Sequence, residues 1–129
     1  MIVGIGVDTI SVSRVKEKVG AEFATPFARG AYTTEEIEYA RKKGAGAYQS
    51  LAGFFAAREA FFKATQVRLG WKDIAVDHEP NGKPFFRFSD KGHLRLIEKG
   101  KDPAFHEFHL SITHERDYAV VVVLCEQRA

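Results

Sequence analysis

The run from Tyr48 to Val67 constrains this chain more than any other segment. It holds no proline, is rich in residues that helices accept, and predicts one long helix. Its apolar residues do not form a stripe: Phe55 and Phe62 fall on one side, Phe54 and Phe61 roughly opposite. A helix apolar nearly all round must be covered on most sides, by its own chain or by another subunit. The 129 residues suffice for one core but not two, so a single domain over residues 1–129 is expected around this helix.

One acid interrupts the helix. Glu59 has Ala52, Phe55, Ala56, Phe62, Lys63 and Gln66 as helical neighbours. A carboxylate there costs several kcal/mol unless it is paired or binds a cation. Lys63, four residues on, offers the simple ion pair; a metal offers the alternative.

The chain opens with a strand. Val3, Ile5 and Val7 share one face; Ile2, Gly4, Gly6 and Asp8 share the other. The two glycines leave space beside Asp8, which is either a turn or cap residue or a metal ligand. Ser11 can cap a helix over about 13–20, and Thr33-Thr34-Glu35-Glu36 opens another that runs to about Lys43 and breaks at Gly44-Ala45-Gly46. After the long helix the pattern turns to strands. Trp71 to Val76 and Phe85 to Phe88 flank an Asn-Gly turn, Ser89 to Glu98 reads as helical, and Phe108 to Thr113 with Tyr118 to Glu126 form a last hairpin. The β-branched run Val120–Val123 is expected to be buried on both faces. The predicted class is α+β: an N-terminal strand and helices followed by a mostly antiparallel sheet.

Composition excludes several functions. Nineteen basic against 17 acidic residues leave a net charge of +2, too little for a dedicated nucleic-acid binder, and most of the eleven phenylalanines sit at core spacing. No apolar run reaches the ~18 residues of a membrane span. The first residues lack the basic start of a signal peptide, and the lone Cys125 makes no internal disulfide, so a cytoplasmic protein is expected. The basic excess is local: Lys83, Arg87, Lys91, Arg95, Lys99 and Lys101 suit a phosphorylated ligand or acidic partner, or simply a solvated face. Asn81-Gly82-Lys83-Pro84 is a hairpin turn whose amides and lysine could also face a phosphate. His114 ends the Ser111-Ile112-Thr113-His114 run, and the sequence shows no nucleophile and orienter to make it a triad base.

Taken in order, four motifs carry a resemblance. They are Gly4-Ile5-Gly6-Val7-Asp8 with Arg14, Phe55-Ala56-Ala57-Arg58-Glu59-Ala60-Phe61-Phe62-Lys63-Ala64, Asn81-Gly82-Lys83-Pro84, and Leu110-Ser111-Ile112-Thr113-His114. With the Phe27-Ala28-Arg29 to Thr34-Glu35-Glu36 segment, the whole chain resembles the holo-acyl-carrier-protein synthase family, the small 4′-phosphopantetheinyl transferases. The resemblance implies that fold. It also implies transfer of phosphopantetheine from coenzyme A to a serine of an apo acyl carrier protein, releasing adenosine 3′,5′-bisphosphate, in fatty-acid biosynthesis. By resemblance Asp8 and Glu59 hold Mg²⁺ (Mn²⁺ being the alternative), Glu59 is the base, and Lys63 neutralises the diphosphate. Gly82, Lys83, Pro84, Ser111 and His114 match coenzyme-contacting positions. Arg14, Lys16, Lys18 and Arg29 would dock the acidic carrier, and the assembly implied is a homotrimer with shared sites. A non-catalytic coenzyme A or nucleotide-binding relative of the same fold is the alternative. Three departures stand out: Arg58 replaces the family's usual lysine, Phe54 its frequent arginine, and Gln66 the glycine of Ala-x-Gly.

Overall fold

A computed structural model describes residues 1–129. Strand β1 (Ile2–Ser11) leads into helices α1 (Val12–Val19), α2 (Pro26–Ala31) and α3 (Thr34–Arg41). A short 3₁₀ turn at Gly44–Gly46 precedes α4 (Ala47–Thr65). Then come β2 (Ile74–His78), β3 (Pro84–Phe88), α5 (Asp90–Glu98), β4 (His106–His114) and β5 (Tyr118–Gln127). All strand pairs are antiparallel, in two sheets: β1-β5-β4 and the β2-β3 hairpin. No helix is long and apolar enough to cross a membrane.

Helix α4 is the centre of the molecule, as its sequence demands. It packs on β1, β5, β4, β2, α1 and α3. Leu51, Ala52, Phe54, Ala56, Ala57, Ala60 and Phe61 are all buried. Phe61 meets Phe86, Phe88 and Phe108, which carries the core from the three-stranded sheet to the hairpin.

The glycines of β1 do not leave open space beside Asp8. The backbone of α4 fills it. A Cβ on Gly4 would overlap the carbonyl oxygen of Ala64, and one on Gly6 that of Ala60. At the other side of the sheet, Gly53 of α4 lies against Ile112 of β4. Helix α4 therefore crosses the sheet obliquely, its first half over β4 and its second half over β1.

The expectation for Val120–Val123 needs correction. Val121 and Val123 are fully buried under α4, but Val120 and Val122 point to the other face and are only half-buried. That outward face has no covering layer in one chain, so the run is half-covered rather than enclosed. Ile5 and Val7 stand on the same face, 65% and 53% exposed.

Helix ends follow local chemistry. Ser11, Thr33 and Ser89 cap α1, α3 and α5, and Glu36 closes a capping box with Thr33. Helix α2 was not anticipated, although Thr25 as cap and Pro26 in the first turn are its signals. Helix α4 stops at Gln66, which takes the left-handed conformation at φ 61°.

Candidate active site

Asp8 lies near the end of β1, facing α4, and Glu59 looks into the same cleft from α4. The cleft is bounded by Arg14, Lys18, Phe27 and Phe55. Both carboxylates are partly covered, with side chains 18% and 27% exposed. The ion pairs differ from the helical i,i+4 expectation. Lys63 donates to Asp8 Oδ1 at 3.2 Å and to the Val7 carbonyl at 3.0 Å. Glu59 instead faces Arg68, whose guanidinium is 3.6 Å away and stacks on the Phe62 ring at 3.8 Å. Neither sequence spacing nor composition signals the Arg68 contact, which depends on how the chain leaves α4.

Two carboxylates on one half-open cleft, one from a strand and one from a buried helix, offer only hard oxygen donors. That set suits a cation such as Mg²⁺, which takes one or two carboxylates and keeps several waters. Lys63 already supplies positive charge to Asp8.

A second cleft contains Gly82, Pro84 and His114 with Tyr39, Phe54 and His78. Tyr39 and His78 are stacked, their centroids 4.0 Å apart and their rings within 2° of parallel. Burial lowers the pKa of His78, which favours the neutral ring. The two clefts lie on opposite flanks of α4. Asp8 and Ile112 belong to one row across β1-β5-β4, through Val121. They are therefore two strand spacings apart, about 10 Å, and His114 lies beyond Ile112.

The remaining predicted residues are dispersed. Lys83 is exposed on the hairpin turn, its amide donating to Asn81 Oδ1. Ser111 pairs with Val122 and points to the outward face, away from His114. On α1, Lys16 lies over the Tyr48 ring and Lys18 over the Phe27 ring. Arg29 is exposed on α2. Tyr39 and His78 had no signal in the sequence, since they meet only through tertiary packing.

Arg58, the unusual neighbour of Glu59, points into the protein. It makes a buried two-pronged ion pair with Glu36, donating from Nη1 to Oε2 at 2.9 Å. It also donates to the carbonyls of Phe54, Trp71 and Ile74. Glu36 in turn accepts from the Val76 amide at 3.0 Å. Helices α3 and α4 and the start of β2 are thereby joined directly behind the cleft.

The model of the 4′-phosphopantetheinyl transferase superfamily matches residues 4–123. The chain belongs to this superfamily. Relatives named holo-[acyl-carrier-protein] synthase include those of Halothermothrix orenii, 36% identical over 98% of this chain and 99% of the relative, and Treponema denticola, 38% identical over the same shares. Among solved structures, the holo-[acyl-carrier-protein] synthase of Neisseria meningitidis superposes with a TM-score of 0.83 at 30% identity, covering 98% of this chain and 100% of that one. The Bacillus anthracis synthase, described in complex with CoA (3′,5′-ADP), gives 0.76 at 30% identity over 100% and 99%. The transferase fold expected from the resemblance is thus the fold observed. Within it Asp8 and Glu59 line one cleft, and Lys63 pairs with Asp8.

Proposed function

We propose that this transferase moves 4′-phosphopantetheine from coenzyme A to a serine of an apo acyl carrier protein, with Mg²⁺, releasing adenosine 3′,5′-bisphosphate. The observation that carries this reading is that Asp8, held by Lys63, and Glu59 line one cleft beside Arg14 and Lys18 of α1. Relatives of this chain are named for the reaction, and related structures are described with coenzyme A.

Transfer of a phosphoryl-linked group from a diphosphate needs positioning and charge neutralisation rather than a covalent intermediate. Asp8 and Glu59 would hold the cation, which when bound draws charge from the diphosphate oxygens. Glu59 would take the proton of the attacking serine. Lys63 neutralises charge on the diphosphate as the bond to the leaving bisphosphate breaks. Arg14 and Lys18, on the rim of the cleft, attract the acidic carrier, and Lys16 and Arg29 extend that field.

The second cleft would take the adenosine end of the coenzyme. Within one chain it lies on the far flank of α4 from Asp8, which supports a site completed by a neighbouring copy. The outward sheet face, with Ile5, Val7, Val120, Val122 and Leu124, supplies an apolar surface for such a homotrimer.

Intact-mass spectrometry of an apo carrier protein, incubated with this protein, coenzyme A and Mg²⁺, tests the reading. A gain of one phosphopantetheinyl mass that EDTA prevents, and that Asp8→Ala abolishes, is expected. Coenzyme binding without any mass gain would instead identify a non-catalytic relative. Light scattering of the native protein tests the trimer, and Val7→Asp is expected to yield single chains.

A further inference from the structure

We propose that Glu107, His109 and Glu126 form a binding site for one divalent transition-metal ion of the zinc class, on the outward face of the sheet. Glu107 of β4 and Glu126 of β5 are direct cross-strand partners, and His109 stands two residues along β4 on the same face. One ligand atom from each lies within 4.8 Å of the others. The nearest pair, His109 Nε2 and Glu126 Oε1, is 2.9 Å apart. The site is distinct from the catalytic cleft, because Asp8 and Glu59 lie on the α4 side of the same sheet.

Three features of this cluster favour such an ion. The first is chemical. Imidazole with two carboxylates is a mixed nitrogen and oxygen set, which suits Zn²⁺ or its neighbours in the first transition row, whereas Mg²⁺ prefers oxygen alone. The second is electrostatic. Like charges directly opposite across two strands are destabilising, and neither glutamate forms an ion pair with a lysine or arginine. A bound dication would relieve the repulsion between the two glutamates. The third is geometric. Metal–ligand bonds of about 2.0–2.2 Å place tetrahedral ligand atoms roughly 3.4 Å apart. The three ligand atoms, already within 4.8 Å of one another, come close to that spacing with the β4–β5 register fixed. The fourth position faces outward, to water or to a group from another copy, at the rim of the open apolar face.

The test is a titration of the native protein with Co²⁺ or Zn²⁺ in the presence of excess Mg²⁺, which competes for the all-oxygen catalytic cleft. Uptake of one ion per chain is expected, with visible d–d bands for Co²⁺. Asp8→Ala is expected to keep that site, while Glu107→Gln and His109→Ala each weaken it at least tenfold and His109→Ala removes the bands. Circular dichroism shows whether the variants fold, and the native titration stands without them. Absence of uptake by the native protein would overturn the proposal. So would uptake that both substitutions leave unchanged, or that Asp8→Ala alone abolishes, since the ion would then sit in the cleft.

Discussion

Lys63 pairs with Asp8 across the β1–α4 contact and makes no ion pair with Glu59, one turn before it on the same helix. One cation thus already serves the carboxylate that a metal needs. In the proposed reaction Lys63 must release part of its hold on Asp8 and face the diphosphate. Lys63→Met is expected to lower kcat by about 100-fold or more, the scale of a lost charge-stabilising donor. The same change should reduce the Mg²⁺ concentration giving half-maximal rate, because nothing then competes for Asp8. A rise in that concentration would mean that Lys63 helps to seat the metal.

Gly6 is needed for contact rather than for backbone freedom. Any Cβ there enters the Ala60 carbonyl, which belongs to the helix that carries Glu59. Gly6→Ala must push α4 off β1 or shift its register. The expected cost is about 2–3 kcal/mol or more in a denaturant titration, since the obstacle is backbone rather than a side chain that can turn away. Turnover should fall with it, because the same displacement moves Glu59 relative to Asp8.

The Arg58–Glu36 pair should behave as a buried ion pair does when one member is removed. Glu36→Gln leaves the Arg58 guanidinium without its countercharge among buried carbonyls. The expected loss is about 3–5 kcal/mol. Adding Arg58→Met to that variant should recover part of it, and a double-mutant cycle reads the coupling directly. Strict additivity would show that the two side chains act independently.

Gln66 occupies a left-handed position where the related family usually has glycine. An L side chain there costs roughly 1 kcal/mol, offset in part by the 3.1 Å hydrogen bond from Gln66 Nε2 to the Lys63 carbonyl. Gln66→Gly is expected to raise the melting temperature by a few degrees. An unchanged or lower value would mean that the side-chain bond fully offsets the strain.

Much of this architecture was legible in residue patterns, and the failures have physical causes. The all-round apolar character of α4 announced its central place, and β1 displayed its two faces in strict alternation. The Glu59–Lys63 pair, one of two readings open at that spacing, is not made; helical spacing considers only neighbours on one element. Asp8 arrives from a strand more than fifty residues away. The glycine face of β1 signalled a missing side-chain layer without saying that a helix backbone would fill it. Val120–Val123 shows the matching limit: a β-branched run does not reveal whether its second face meets the same chain. Asp8, Glu59 and Lys63 were visible as types at known motifs, but Tyr39 and His78 enter the second cleft, and Arg68 reaches Glu59, only through tertiary packing.

Strand β1 is the first element of the chain and its partner, β5, is the last. During synthesis Asp8 emerges long before Val121, its partner on the strand that fixes it in the sheet. Pairings so distant in sequence form late, because the loop they close is long. A nascent chain thus exposes the branched residues of β1 throughout elongation without possessing the cleft. Catalytic competence should appear only once β5 has paired with β1, and a chain stopped before β5 should be inert however well its helices form.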